Sequence, residues 1–213
     1  MTPKCILFDL DGTLTDSGPG IMNCARATFR EFGVPIPDET AMRTIIGPPL
    51  KESFARFGIA PEHLNAAVTF YRSIYNVTGK YENAPYPGVP ELLERLRKDG
   101  HRLYVATSKP EYMAVDILEH FGLAKHFDRI CGADSDHVRS SKSAVIAYLL
   151  EAIGGAENAV MIGDTVYDVE GAAEHGIGTL CVDWGYGIRE DMLAAGAKAV
   201  VQTPEELYGL LNK

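Results

Sequence analysis

The sequence predicts an α/β fold in which a doubly wound parallel sheet is interrupted, after its first strand, by a small all-helical domain. Three observations predict it. A short apolar run at residues 4–8 stops at two carboxylates, Asp9 and Asp11, as a buried strand does when it reaches the edge of a sheet. Helical patterns without strands fill residues 16–83, and from Tyr86 onward strand-like runs alternate with helical patterns, as in βαβ units.

The helical insert is predicted from apolar residues that recur at helical spacing between segments rich in proline and glycine. Its helices are predicted at residues 21–32, 38–46, 50–57 and 61–75. The breakers between them are residues 34–37, 47–49 and 58–60. We therefore expect two domains, an α/β core formed by residues 1–15 and 84–213 and a helical cap formed by residues 16–83.

The core elements follow from apolar runs and from helix start and stop signals. Strands are predicted at 102–107, 127–131, 159–162, 179–182 and 199–201. Helices are predicted at 89–98, from Lys109-Pro110-Glu111 onward, and at 143–152, 167–175, 188–194 and 204–211. The last of these starts with Thr203-Pro204-Glu205-Glu206, a capping-box pattern.

Composition narrows the range of partners. The formal net charge is −9, which disfavours binding to nucleic acid or to an anionic membrane, because such partners are bound by basic surfaces. No apolar run approaches the length of a membrane span, and the N-terminus lacks the pattern of a signal peptide, so we expect a cytoplasmic protein. The four cysteines lack the spacing of a zinc site, and we expect reduced thiols.

Polar residues cluster at four predicted strand ends, where ligands bind in doubly wound sheets. These clusters are Asp9 with Asp11, Thr107-Ser108-Lys109, Ser141-Lys142, and Gly163-Asp164 with Asp168. The carboxylates make an oxygen-rich set that suits Mg²⁺ better than zinc. A divalent cation would also offset the repulsion between Asp9 and Asp11.

The same residue types suit phosphoryl transfer. Asp9 could attack phosphorus to form an aspartyl-phosphate, and Asp11 could protonate the leaving oxygen and later deprotonate water. Thr107, Lys142 and the backbone N–H groups around Asp11 and Gly12 could bind the phosphoryl oxygens. Asp9, Asp11, Thr107 and Lys142 are therefore the candidate catalytic residues.

Taken together, the four clusters resemble the motifs of the haloacid dehalogenase superfamily of hydrolases. The matching segments, in chain order, are Asp9-Leu10-Asp11-Gly12-Thr13-Leu14, Val105-Ala106-Thr107-Ser108, Lys142, and Met161-Ile162-Gly163-Asp164-Thr165-Val166-Tyr167-Asp168. The resemblance implies a nucleophile at Asp9, an acid/base at Asp11, and phosphate binding by Thr107 and Lys142. It also implies Mg²⁺ held by the Asp9 side chain, the Asp11 backbone carbonyl and Asp164, with Asp168 supporting the metal through water or a second layer of contacts.

The position of the insert resembles the helical cap of the branch that contains phosphoglycolate phosphatases, phosphoglucomutases and dehalogenases. Asp11 disfavours a dehalogenase, since attack on a C–Cl bond needs no protonated leaving group. Further segments resemble enzymes named variously phosphoglycolate phosphatase and 5′-nucleotidase: Asp16-Ser17-Gly18-Pro19-Gly20, Ile46-Gly47-Pro48-Pro49-Leu50, Ala106-Thr107-Ser108-Lys109-Pro110 and Trp184-Gly185-Tyr186-Gly187. Asp136-His137-Val138-Arg139 stands where those enzymes often have Asp-Gly-Thr-Arg.

We therefore predict a Mg²⁺-dependent phosphomonoesterase that acts on a small phosphorylated metabolite, phosphoglycolate or a 5′-nucleotide. A phosphomutase or phosphotransferase and a non-enzymatic phospho-receiver domain are the alternatives. Candidate contacts to substrate are Ser108 and Lys109 in the core and Arg43 and Lys51 in the cap, and Lys109 could instead contact the metal-site carboxylates. The oligomeric state is expected to be a monomer or a homodimer, and the segment Trp184–Gly187 could border the cleft or serve packing.

Overall fold

The computed structural model describes residues 4–134 and 139–212. Contacts along the chain divide it into two compact units, one comprising Met1–Asp16 and Pro85–Lys213 and the other Ser17–Ala84. We call the first the core unit and the second the helical unit. The sequence-based boundaries, 16–83 for the insert, differ from the helical unit by one residue at each end.

The core unit is built on a sheet of six parallel strands, which confirms the predicted fold class. The strands are β1 Cys5–Phe8, β2 Arg102–Pro110, β3 Arg129–Ala133, β4 Ala159–Gly163, β5 Gly178–Val182 and β6 Ala199–Val201. Their spatial order is β3-β2-β1-β4-β5-β6, so the direction of winding reverses between β1 and β4. Ligands of doubly wound sheets bind at such a switch point, beyond the carboxyl ends of the strands.

Ten α-helices lie in the described part of the chain. Those of the helical unit are α1 Gly18–Glu31, α2 Glu39–Arg43, α3 Leu50–Arg56 and α4 Leu64–Tyr75. Those of the core unit are α5 Val89–Lys98, α6 Glu111–His120, α7 Lys142–Ile153, α8 Val166–Ala173, α9 Arg189–Ala194 and α10 Pro204–Leu211. Pro90 and Pro204 stand in the first turns of α5 and α10, where a missing N–H costs no helical hydrogen bond.

Helices cover both faces of the sheet because successive side chains of a strand point to opposite faces. On one face, Ile6 and Phe8 of β1 pack in a buried cluster with apolar residues of α5, α6 and α10. On the other face, Leu7 packs with Tyr104 and with apolar residues of α7. The first strand is therefore fixed from both sides, and with it the position of the residues that follow it.

The helical unit has an aromatic core of its own. Phe29 lies within 5.7 Å of Phe54 and 5.9 Å of Phe57 between ring centroids, in edge-to-face arrangements. Tyr71 packs against Phe54 and stacks on Tyr75. Such pairs favour edge-to-face or offset contact, which gives this small unit a defined interior.

Several predicted element boundaries are wrong. Strand β2 continues to Pro110 rather than ending at residue 107, and α6 starts at Glu111. Strand β3 covers 129–133 rather than 127–131, because Phe127 is an apolar anchor that packs on Phe8 from the connecting turn. Helix α2 covers Glu39–Arg43 rather than 38–46: Asp38 is its N-cap and accepts a hydrogen bond from the Ala41 N–H, and Thr44 is its C-cap.

Within the described residues, no helix is both long enough and apolar enough to span a bilayer.

The first turn of α1 packs too closely for a side chain at Gly20. A Cβ there would lie 2.0 Å from the Gly79 carbonyl oxygen, which is backbone and cannot swing away. We expect Gly20→Ala to destabilise the protein by more than about 2 kcal/mol. Gly209→Ala in α10 is the matched control: its Cβ meets nothing within 4 Å, so it should stabilise by about 0.5–1 kcal/mol. Thermal unfolding followed by circular dichroism measures both, and equal effects would contradict the packing argument.

Candidate active site

The end of β1 places the first pair of carboxylates. Asp9 continues the strand, since its N–H donates to the Ile162 carbonyl of β4 at 2.9 Å. The chain then turns sharply, with the Leu14 and Thr15 N–H groups both donating to the Leu10 carbonyl. Asp9 is 9% exposed and Asp11 is half-buried. The turn thus keeps Asp9 at the sheet edge and brings Asp11 nearer to solvent.

Lys142 supplies the buried positive charge. It is the first residue of α7, and Ser141 caps this helix by accepting a hydrogen bond from the Ala144 N–H. The Lys142 ammonium donates to the Ala106 carbonyl at 2.9 Å. It also lies 2.7 Å from Asp9 Oδ1 and 2.8 Å from Asp168 Oδ1.

Asp164 and Asp168 complete the buried group from the end of β4 and the start of α8. Asp164 is fully buried; its Oδ1 accepts from the Thr13 hydroxyl at 3.2 Å and its Oδ2 from the Tyr186 N–H at 2.8 Å. Asp168 Oδ2 accepts from the N–H and hydroxyl of Thr165, which caps α8. Asp168 therefore has a structural part as well as its ion pair with Lys142.

The donor set fits a divalent cation. Asp9, Asp164 and Asp168 each offer a carboxylate oxygen, and these atoms all lie within 4.8 Å of one another. Asp9 Oδ1 and Asp168 Oδ1 are buried and accept no well-directed hydrogen bond from the described residues, although both are ion-paired with Lys142. Three carboxylates against one ammonium leave two negative charges in excess, and hard oxygen donors suit Mg²⁺.

Burial dominates the titration of this group. Desolvation raises the pKa of Asp9 to about 6, because Lys142, which lowers it, only partly offsets burial and the neighbouring Asp168. Burial, with Asp168 and Asp9, also raises the pKa of Asp164 well above its usual range. Burial lowers the pKa of Lys142, but Asp168 and Asp9 outweigh it, and the pKa ends above the usual value. The ammonium therefore stays charged.

Asp11 has a separate cationic partner. The Lys109 ammonium lies 3.0 Å and 2.9 Å from its two carboxylate oxygens. The extended end of β2 places Lys109 there, and the Lys109 N–H donates to the buried Thr107 hydroxyl at 3.2 Å. Lys109 thus contacts Asp11, one of the predicted metal-site carboxylates, and this is one of the two partners that the sequence analysis left open for it.

The structure brings most of the predicted site residues to one edge of the sheet. Ser108 is exposed beside Thr107, and Gly12 adopts the left-handed backbone, with φ +83°, in the turn after Asp11. Arg43 in α2 and Lys51 in α3 are exposed residues of the helical unit, and the substrate contacts predicted for them stay predictions.

Contacts made by three residues were missed by sequence reasoning. Thr13 and Tyr186 both donate hydrogen bonds to Asp164. Each lies in a segment that the sequence analysis had matched to the family, 9–14 for Thr13 and 184–187 for Tyr186. Arg139 donates to the Gly132 carbonyl at 2.7 Å and pairs with Glu111 at 3.1 Å, which fastens the approach to α7. Asp136, His137 and Val138 of the motif discussed above lie outside the described residues.

Comparison with known proteins identifies the family. The model of a family described as haloacid dehalogenase-like hydrolase matches residues 6–182. The chain belongs to the haloacid dehalogenase-like hydrolase family. A member from Streptococcus pneumoniae has a solved structure that superimposes with a TM-score of 0.92 and 37% identity, covering 98% of each chain. The predicted family and enzyme class, a hydrolase, are confirmed.

Relatives of this chain carry different activities in their names. The 5′-nucleotidase of Pseudomonas aeruginosa is 41% identical over 191 residues, which are 89% of this chain and 86% of that protein. The tyrosine-protein kinase PtkA of Mycobacterium tuberculosis is 42% identical over 201 residues, 94% of this chain and 68% of that protein. Proteins named phosphoglycolate phosphatase are also among the relatives.

The raised pKa of Asp9 predicts a stability cost in the metal-free protein. Since the folded pKa, about 6, exceeds the usual 3.8, the contribution of this group is favourable only at low pH and is lost as the pH rises through about 6. In EDTA, Asp9→Asn should therefore raise the free energy of unfolding by up to about 3 kcal/mol at pH 7.5 and by progressively less toward pH 4.5. The melting temperature should rise accordingly. Thermal unfolding across that pH range measures it.

The control is Asp191→Asn, which makes the same change at an exposed position of α9. It should leave the melting temperature nearly unchanged at each pH. An Asp9→Asn variant that is no more stable than the wild type at pH 7.5 would contradict this account of the buried carboxylate.

Proposed function

We propose that the protein is a Mg²⁺-dependent phosphomonoester hydrolase that acts on a small phosphorylated metabolite through an aspartyl-phosphate at Asp9. The observation that carries this proposal is the buried group of Asp9, Asp164 and Asp168 around the Lys142 ammonium, with Asp11 two residues beyond Asp9. It combines a nucleophile, a candidate cation site and a second carboxylate for proton transfer. The family of the chain supports a hydrolytic reaction over the receiver-like alternative.

In the first half of the reaction, an Asp9 carboxylate oxygen attacks phosphorus and the bond from phosphorus to the ester oxygen breaks. Asp11 gives a proton to the departing oxygen. In the second half, Asp11 takes a proton from water, whose oxygen attacks the aspartyl-phosphate and releases free phosphate. Proton uptake and release balance at Asp11 over one cycle.

The remaining site residues would position the two catalytic aspartates and neutralise the charge of the phosphoryl group. Lys142 holds Asp9 on one oxygen and keeps a positive charge where the phosphoryl group would sit, while Thr107 and the N–H groups after Asp11 are candidates to bind its oxygens. Lys109 holds Asp11 on both carboxylate oxygens. Asp9, Asp164 and the Asp11 carbonyl would hold Mg²⁺, which would supply positive charge that stabilises the phosphoryl oxygens. Asp168 would support the metal through water or a second layer of contacts.

Nucleoside 5′-monophosphates are the substrates that we place first, because the 5′-nucleotidase relative aligns with most of the chain at 41% identity. Phosphoglycolate is the second choice. Arg43 and Lys51 are the cap residues proposed to contact the leaving group and to determine which substrates bind. Hydrolysis rates over nucleotides, phosphoglycolate, sugar phosphates and pyrophosphate rank these classes directly.

A phosphotransferase is the second candidate, favoured by the 42% identity to a protein named tyrosine-protein kinase. It would share the first half of the reaction. In the second half, a hydroxyl group such as that of tyrosine would replace water as the acceptor. The two candidates therefore differ only in what attacks the aspartyl-phosphate.

Single carboxylate-to-amide changes separate the two proposed roles. Asp9→Asn should lower turnover by at least about a thousandfold and abolish trapping by beryllofluoride, because it removes the nucleophile. Asp11→Asn should keep Mg²⁺ and phosphate binding but lose most turnover. Phosphate release, with Mg²⁺ and with EDTA, and calorimetric titration of Mg²⁺ measure these effects. Asp191→Asn should behave as the wild type, and near-normal hydrolysis by Asp9→Asn would refute the assignment.

Partitioning of the phosphoryl group distinguishes the hydrolase from the transferase. For a hydrolase, free phosphate equals the substrate consumed, even when a tyrosine-containing peptide is present in large excess over substrate. For a transferase, phosphate release falls and phosphopeptide accumulates in the same proportion as the peptide concentration rises. Labelled substrate followed by chromatography of both products decides between them, with Asp9→Asn as the background control.

A further inference from the structure

The segment Trp184–Gly187, which follows β5, lines the buried carboxylates. The Tyr186 N–H donates to Asp164 Oδ2 at 2.8 Å. The Trp184 indole N–H donates to the Thr13 carbonyl at 3.1 Å, which fastens the start of the segment to the turn after β1. This segment is therefore part of the wall around Asp164, although nothing in the proposed chemistry uses its side chains.

Its glycines allow the backbone to press against Asp164. A Cβ at residue 185 would lie 2.4 Å from the Asp164 side chain and 2.5 Å from the Gly12 carbonyl oxygen. A Cβ at residue 187 would lie 1.9 Å from the Asp164 carbonyl oxygen. With no room between the segment and Asp164, a displacement of one must displace the other.

The Tyr186 side chain reaches the two places where the chain leaves and re-enters the core unit. Its hydroxyl donates to Asp16 Oδ1 at 2.8 Å, and it also shares a hydrogen bond with the Tyr86 side chain. Asp16 is the last core residue before the helical unit, and Tyr86 is the second core residue after it, directly following Pro85. Both crossings therefore meet at one phenol.

The crossings are also bonded to each other. The Tyr86 N–H donates to the Leu14 carbonyl at 3.1 Å, and Thr15 forms an antiparallel bridge with Pro85. Outgoing and returning segments thus form one paired strip at the edge of the core. Tyr186 connects this strip to Asp164, since its hydroxyl binds Asp16 and its backbone N–H binds the Asp164 carboxylate.

We propose that Tyr186 is a positioning residue that couples the cation site at Asp164 to both chain crossings, so that loading the site with Mg²⁺ orders the strip formed by residues 14–16 and 85–86. This inference rests on the proposed function for the identity of the cation. The Asp164 carboxyl oxygen lies within 4.8 Å of those of Asp9 and Asp168, whereas the Lys142 ammonium pairs with Asp9 and Asp168. A bound cation would link Asp164 to these neighbours and hold its carboxylate, and Asp164 in turn holds the Tyr186 N–H.

Hydrogen exchange of the strip tests the coupling without reference to activity. The probes are the Thr15 amide, bonded to the Leu10 carbonyl at 3.0 Å, and the Tyr86 amide, bonded to the Leu14 carbonyl at 3.1 Å. In the wild-type protein, saturating Mg²⁺ should slow exchange at both by about fivefold or more. Tyr186→Phe keeps the ring and the N–H that binds Asp164, so it should bind Mg²⁺ within about twofold of the wild type yet lose most of this protection.

Tyr208→Phe is the matched control. The Tyr208 hydroxyl also donates to an aspartate, Asp99 Oδ2, at 2.8 Å, but it lies in α10. This variant should keep the full response to Mg²⁺. Asp16→Asn, which retains an acceptor for the phenol, should keep more of the response than Asp16→Ala.

The outcomes separate this inference from the proposed function. If Mg²⁺ fails to bind the wild type in calorimetry, the proposed metal dependence fails, and the inference fails with it. If Mg²⁺ binds but leaves the strip unprotected, or protects it equally in Tyr186→Phe, only the coupling is overturned. A loss of protection in Tyr208→Phe as large as that in Tyr186→Phe also overturns it, since the effect would then be one of general stability.

Discussion

The contact of the Lys142 ammonium with Asp9 and Asp168 is the interaction on which the rest of the site depends. Burying three carboxylates in one place is unfavourable unless cations and hydrogen-bond donors surround them. One ammonium, the Thr13 hydroxyl and the Tyr186 N–H meet part of that need. Burial, and after it the neighbouring carboxylates, raises the pKa values of Asp9 and Asp164, and an acidic group of this kind is a candidate site for a divalent cation.

The sequence predicted the sheet and the carboxylate group for the same physical reason. In a parallel sheet buried on both faces, strands are continuous apolar runs, and the polar residues that end them converge at one edge. The sequence alone therefore predicts that Asp9 and Asp164 lie close together, although they are 155 positions apart. The order of the motifs along the chain predicted that Lys142 belongs to the same site. In the structure its ammonium contacts both Asp9 and Asp168.

What the sequence could not predict depends on side-chain reach and on local packing. Phe127 has the apolar character of a strand residue but packs on Phe8 from a turn, which displaced the predicted β3. For Lys109 the sequence left both phosphate and the metal-site carboxylates open as partners, and the extended end of β2 places its ammonium against Asp11. Tyr186 lies 22 positions from Asp164 and 170 from Asp16, and no periodicity reports contacts at such separations.

The pairing of the two crossings has a consequence for how the fold can vary. Thr15 and Pro85 are bridged within the core unit, so the two ends of the inserted chain are held side by side there. For the stability of the core unit, the helical unit is equivalent to a long loop whose two ends are adjacent. Because the entropic cost of closing a loop grows only slowly with its length, the length of the insert has little effect on that cost. An insertion point built this way lets the helical unit be lengthened, shortened or exchanged while the strands and the buried carboxylates stay in place.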